Sequence, residues 1–189
     1  MEFCELYPDI KKYALEHKTP IIMEDSLEYI KELIKEKKIL KILEIGTAIS
    51  YSALHFISVD SNIHVDTIER SEEMILEASK NIDKYDVNKQ ITLHKGDALE
   101  YPVENLSGDY DLLFIDAAKA QSQKFFLRYV PLLKENGVII TDNMNFHGVS
   151  IDDPNISRNL RNMLKKIQNY NDWLTNHPDY DTYFLDLGD

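Results

Sequence analysis

The chain has 189 residues, 43% of them hydrophobic and 29% charged, and a formal net charge of −12. That is enough chain for one α/β domain with a full core, in a composition that excludes a disordered polypeptide. The acidic balance argues against broad, non-specific nucleic-acid binding while leaving room for a local basic patch. The lone Cys4 excludes an intramolecular disulfide and a cysteine-built zinc site.

No apolar run nears the ~20 residues that span a bilayer. The N-terminus mixes acidic with apolar residues and lacks the basic-then-apolar form of a signal peptide. A cytoplasmic protein with no membrane partner is expected.

In chain order, a short helix is predicted over residues 8–17, with Ile10, Tyr13 and Ala14 on one side. A break follows at Thr19-Pro20-Ile21-Ile22, where the proline biases Thr19 away from helix. A second helix runs over about 26–37, with Ser26 as its N-cap. Lys41-Ile42-Leu43-Glu44-Ile45 then reads as a buried parallel strand, turning at Gly46 into a helix that starts at Tyr51 and runs to about Ser58. The strand His64-Val65-Asp66-Thr67-Ile68 ends at Glu69. Ser71 caps the next helix, with Glu72 and Glu73 in the first turn, where the helix dipole favours them. Further strands are predicted over 91–94, ending at Gly96-Asp97-Ala98; over 110–115, ending at Asp116; and over 137–141, ending at Asp142-Asn143. Between the last two lies a helix containing Phe125, Phe126 and Tyr129. After the loop 144–154 comes a helix with Ile156, Leu160, Met163, Leu164 and Ile167 on one face and Arg158, Arg161 and Lys165 on the other. Residues 183–187 read as a last strand. Strands alternating with helices mean an α/β fold: a doubly wound, Rossmann-like, mostly parallel sheet with helices on both faces, in one domain over 1–189.

In such a sheet a ligand lies outside the carboxyl ends of the strands. Those ends carry Gly46, Glu69, Asp97, Asp116 and Asp142-Asn143. Any one of them is also an ordinary turn residue; four acidic residues at four successive strand ends are harder to dismiss. A glycine turn lets backbone approach a ligand, and an acidic residue roughly twenty positions on can bind both hydroxyls of a ribose. A dinucleotide fingerprint is not met, because Ala48 and Tyr51 occupy positions that need small glycines. Asp116, Asp142 and Asn143 form an all-oxygen set that suits Mg²⁺ with positions left for water and substrate. Lys119 stands three residues after Asp116 and reads either as a base beside ligand and metal or as a surface lysine at a helix start. His147, nearby in a loop, reads as polar surface.

These residues carry a resemblance. Leu43-Glu44-Ile45-Gly46-Thr47-Ala48-Ile49-Ser50-Tyr51-Ser52, Thr67-Ile68-Glu69-Arg70, Gly96-Asp97-Ala98, Phe114-Ile115-Asp116-Ala117-Ala118-Lys119 and Ile139-Ile140-Thr141-Asp142-Asn143 resemble the cation-dependent S-adenosylmethionine O-methyltransferases, which include catechol and caffeoyl-CoA O-methyltransferases. Ala117-Ala118-Lys119 with Gln121, and the tail Tyr170-Asn171-Asp172-Trp173-Leu174-Thr175-Asn176-His177-Pro178-Asp179-Tyr180, look like the bacterial branch that methylates 5-hydroxyuridine in tRNA.

The resemblance implies S-adenosylmethionine in the crevice. Gly46 would lie close to it, Ser52 would hold its amino-acid end, and Glu69 would take its ribose hydroxyls. Asp97 and Ala98 would border the adenine, and Ile22 would close over the methionine. Asp116 would serve both cofactor and metal; with Asp142 and Asn143 it would bind Mg²⁺, and Lys119 would match the family's base. The implied partner is a tRNA anticodon loop or, alternatively, a small catechol-like substrate; a non-catalytic cofactor- or RNA-binding protein is a third reading. For RNA, the cations Arg158, Arg161 and Lys165, with Lys119, Lys124 and Arg128 near the crevice mouth, form a compatible patch or simply a solvated surface. Three features depart from the family pattern: Ser50 replaces a glycine, the sequence begins later than in many relatives, without their extra N-terminal helix, and it stops at Gly188-Asp189, where relatives continue into an antiparallel strand, so either that strand lies beyond the given sequence or the sheet edge is open. An open sheet edge would then expose 183–187 to association, with a homodimer as one compatible assembly.

Overall fold

A computed structural model describes residues 6–142, 144 and 150–187. Its framework is a five-stranded sheet of β1 (Lys41–Ile45), β2 (His64–Glu69), β3 (Ile91–Lys95), β4 (Tyr110–Ile115) and β5 (Leu133–Thr141), in the order β3-β2-β1-β4-β5. Every pairing is parallel. The helices are α1 (Pro8–His17), α2 (Glu24–Lys37), α3 (Tyr51–Ile57), α4 (Glu72–Tyr85), α5 (Ser122–Tyr129) and α6 (Arg158–Thr175).

Alternation along the central strands builds two cores. Ile42, Val65, Leu112 and Phe114 point to one face, where they meet Ile10, Leu27, Ile30 and Ile34 of α1 and α2, Leu54 and Phe56 of α3, and Met74 and Ile82 of α4. Leu43, Ile45, Leu113 and Ile115 point to the other face, against Phe125, Phe126 and Tyr129 of α5 and Tyr170 and Leu174 of α6. A strand buried on both faces has no polar side to display, which explains the unbroken run Leu112–Ile115. Helices therefore cover both faces, as the sequence predicts.

Element ends differ in places. α2 begins at Glu24 instead of Ser26, because Glu24 and Asp25 suit the positive end of the helix. β5 begins at Leu133, before the polar stretch that reads as a loop. Tyr110 pairs with Leu133 and Leu112 with Val138, so the bulge absorbs the extra residues, with Asn136 at φ 64°.

The expected strand over 183–187 is not formed. Tyr183, Phe184 and Leu185 are 81%, 53% and 53% exposed. The tail runs beside β5 across an open groove and forms no ladder with it, so the apolar pattern of 183–187 has no partner strand to satisfy it. The segment before it is well anchored. Phe126 is ringed by Trp173 and Tyr180, with centroids 5.0 and 5.2 Å away, and His177 lies edge-on to Trp173 at 4.7 Å. Thr182 Oγ1 donates to the Leu174 carbonyl at 3.1 Å. The aromatic residues of the tail motif thus serve packing.

Among the described residues no helix is long and apolar enough to cross a membrane.

Candidate active site

Strand order sets the site out in a row. Asp97, Glu69, Gly46, Asp116 and Asp142 follow β3, β2, β1, β4 and β5, so they line the carboxyl edge in that spatial order. The ladder continues one residue past the strands to hold them. Gly96 N donates to Glu69 O (2.8 Å), Gly46 N to Ile68 O (3.1 Å), Asp116 N to Ile45 O (2.9 Å) and Asp142 N to Ile115 O (3.1 Å).

The turn from β1 to α3 is under backbone strain. Gly46 has φ +102°, and a Cβ built there would lie 2.2 Å from the Asp116 carbonyl oxygen. Its glycine is therefore required by the approach of β4's end as well as by the turn. Ala48 (φ 46°) and Ser50 (φ 67°) also sit at left-handed angles, and the Ser50 hydroxyl is buried without a hydrogen-bond partner. Such outliers cluster where a turn is shaped for a ligand.

Glu69 organises this turn. Its Oε2 accepts from Ala48 N (2.9 Å), and its Oε1 accepts from Arg70 N (2.9 Å) and Ser71 N (2.8 Å). A carboxylate has about four acceptor positions, so one remains on Oε2 for a donor such as a sugar hydroxyl. Asp97 accepts from Leu99 N at 2.9 Å and from Arg70 Nη1 at 3.1 Å. The Leu99 amide above all, with Arg70, holds its carboxyl below the usual range against the effect of burial. Ala98 is buried and its carbonyl accepts from the Tyr129 hydroxyl.

Ser52 is buried and its hydroxyl donates to Glu44 Oε1. Glu44 is the residue that sequence reasoning passes over. It is 0% exposed at the centre of the sheet, and its Oε2 accepts from Thr67 Oγ1 at 2.5 Å, which in turn lies 2.7 Å from Thr47 Oγ1. Its carboxyl is pushed up to about 8: burial raises it most, the two hydroxyl donors offset part of that, and the negative Asp116 and Glu69 raise it further. A charged residue inside the apolar run Ile42-Leu43-Glu44-Ile45 was the signal available.

On the far side of Gly46, Lys119 Nζ donates to Asp116 Oδ1 at 2.8 Å and to the Asp142 carbonyl at 3.1 Å. A cation thus bridges oxygens from two neighbouring strand ends. That position, with hard oxygen donors around it, fits a divalent ion held by Asp116 and Asp142. Asn143 and His147 lie outside the described residues. Among the described residues no cluster of three His, Cys, Asp or Glu forms a metal site; the donor set here has only two such residues, Asp116 and Asp142.

Ile22 is 6% exposed and packs into the first core. Arg161 donates through Nε to Ile151 O (3.2 Å) and through Nη2 to Asp153 O (2.8 Å), tying down the loop before α6. Arg128 similarly holds the Tyr101 carbonyl at 2.6 Å. Arg158, Lys124 and Lys165 remain exposed, and Lys166 joins them.

The family model for O-methyltransferases matches residues 8–189. The fold is shared with the crystal structure of a Staphylococcus aureus chain provisionally described as a caffeoyl-CoA O-methyltransferase. That match has 46% identity and a TM-score of 0.89, and covers 96% of this chain and 87% of the other. An O-methyltransferase from Bacillus cereus, solved with S-adenosylhomocysteine, is 25% identical with a TM-score of 0.77, over 90% of this chain and 79% of that one. A catechol O-methyltransferase of Niastella koreensis is 29% identical over 131 residues, 67% of this chain and 58% of the relative. A crevice edged by the Glu69 carboxylate, a strained glycine turn and two aspartates is thus joined to a match over almost the whole length, and the chain belongs to the S-adenosylmethionine-dependent O-methyltransferases.

Proposed function

We propose that the protein moves the methyl group of S-adenosylmethionine to a hydroxyl that has a second oxygen next to it, with Mg²⁺ held by Asp116, Asp142 and Asn143. The observation that carries this reading is the cation already bridging Asp116 Oδ1 and the Asp142 carbonyl. When bound, the metal would supply Lewis acidity to the acceptor hydroxyl. Glu69 would fix the ribose and so the position of the sulfonium, and the crevice would hold acceptor and methyl carbon in line. Lys119 would take the remaining proton or steady the oxyanion.

The preferred acceptor is 5-hydroxyuridine in a tRNA anticodon loop, giving 5-methoxyuridine. Its C5 hydroxyl and C4 carbonyl are neighbouring oxygens, and a base in a single-stranded loop can leave its stack to enter a crevice. The likeness of the 170–180 tail to the tRNA-modifying branch supports this acceptor. So does α6, whose residues from Arg158 to Lys166 include four cations and no acid in a chain of net charge −12. Three of these cations, Arg158, Lys165 and Lys166, are exposed.

A catechol-like small molecule is the second reading. It presents the same oxygen pair, and the Niastella koreensis relative is named for that activity.

Labelled S-adenosylmethionine offered with hydroxylated tRNA and, separately, with a catechol decides between them, each with and without chelator. Label in the catechol alone replaces the tRNA reading. Full turnover in excess EDTA removes the metal. If tRNA is methylated, changing Arg158, Lys165 and Lys166 to Glu is expected to raise KM for tRNA and leave cofactor affinity unchanged.

A further inference from the structure

Lys119 stands in an odd place for a residue meant to serve the substrate. Its ammonium is committed to Asp116 Oδ1 and the Asp142 carbonyl, and it is largely shielded there. Both oxygens belong to segments fixed by the sheet: Asp116 N is held by Ile45 O, and Asp142 N by Ile115 O. The lysine backbone is fixed too, since it opens a short 3₁₀ turn whose Ser122 hydroxyl donates to the Lys119 carbonyl at 3.0 Å. What is free to move is the flexible four-carbon stem between that anchor and the ammonium.

A divalent ion and an ammonium compete for the same oxygens. Two positive charges only a few ångströms apart repel strongly in a partly buried site, where screening is weak. Without any cation, the partly buried Asp116 carboxylate would stand with no compensating charge from its ion-pair partner. A positive charge is needed in both states of the site, and Lys119 provides it in one of them.

We propose that Lys119 is an internal counter-ion for the cation site: it holds Asp116 and Asp142 together in the metal-free protein and is displaced by the arriving metal, which releases its side chain towards the acceptor. This rests on the metal reading given above. It makes the order of events a property of the site, because the lysine reaches the substrate side only after the metal has entered.

The test is Mn²⁺ binding, followed by calorimetry and by the paramagnetic resonance of the free ion, to the unmodified protein, Lys119→Gln and Lys119→Arg. Losing a charge-assisted hydrogen bond that opposes the metal is expected to tighten Mn²⁺ binding of Lys119→Gln by about tenfold. Lys119→Arg, which keeps the charge, should stay within about threefold of the unmodified protein. A second measurement needs no variant: acylation of Lys119 by an amine-specific reagent, read by mass spectrometry, should speed up several-fold when Mg²⁺ is saturating. Equal or weaker Mn²⁺ binding by Lys119→Gln overturns the counter-ion role and leaves the metal site standing. So does a Lys119 reactivity that Mg²⁺ does not raise. Absence of Mn²⁺ binding in all three proteins removes the metal site and the counter-ion together. If Lys119→Gln does not fold, the acylation measurement on the unmodified protein decides.

Discussion

Gly46 and Asp116 are locked to each other: a single methyl on Gly46 would sit 2.2 Å from the Asp116 carbonyl oxygen. The turn between β1 and α3 and the end of β4 are therefore one mechanical unit. Gly46→Ala is expected to cost roughly 3 kcal/mol or more, from forced backbone movement and a left-handed φ together. Gly108, also at positive φ but with nothing within 4 Å, is the control; Gly108→Ala should cost only about 1 kcal/mol. Denaturant titration of the two variants checks this, and equal losses would mean that the close approach is relieved at no cost.

Glu69 holds its turn through three backbone amides and, in the function proposed above, takes the ribose hydroxyls; the two can be separated. Glu69→Ala should weaken S-adenosylmethionine binding by ~1.5–3 kcal/mol, the value of a hydrogen bond to a charged group. Because its oxygens also accept from the amides of Ala48, Arg70 and Ser71, the ligand-free protein should melt lower as well. Calorimetry for the cofactor and a melting curve without it measure the two effects. Unchanged affinity would displace the ribose from Glu69.

Ser50→Gly is expected to stabilise the protein. Serine holds a left-handed φ there and buries a hydroxyl that has no partner. Removing both burdens, less the added freedom of glycine in the unfolded chain, should yield about 1 kcal/mol. For a chain of this size that is a rise of about 2–4 °C in Tm. A fall in Tm would show that the Ser50 hydroxyl is satisfied.

Glu44 gives the fold a pH dependence of unusual sign. Its folded carboxyl titrates at about 8 against an ordinary value of 4.5, so across that interval the native state holds a proton that the unfolded chain has released. Stability from this group falls as pH rises through the interval and levels off above it. Glu44→Gln keeps the shape and removes the titration. Its Tm relative to the unmodified protein is expected to climb between pH 5 and pH 8, and a constant gap would place the titrating group elsewhere.

Most of the framework was legible because a parallel sheet buried on both faces writes itself as apolar runs ending in turn residues. Leu112–Ile115 closing on Asp116 is the clearest case, and the row of strand-end acids followed from it. What was not legible depended on partners distant in sequence. Residues 183–187 are apolar enough to read as a strand, but a strand needs a neighbour, and none pairs with them among the described residues. The stretch from Lys134 to Gly137 is polar enough to be a loop, yet the pairing of Tyr110 with Leu133 draws it into β5. Arg161 looked like part of a free basic face until its guanidinium was found on two loop carbonyls. Glu44 escaped notice because periodicity marks where a side chain points and says nothing about which hydroxyls wait there.

The aromatic cluster around Phe126 also makes the protein its own gauge of tail attachment. Trp173 is the single tryptophan, packed between Phe126 and His177 where α6 hands over to the tail. Its fluorescence therefore reports on one joint of the molecule and on no other. If the tail lifts before the sheet melts, the emission shifts to longer wavelength ahead of the loss of helical circular dichroism. If the two signals move together, tail and sheet form one cooperative unit.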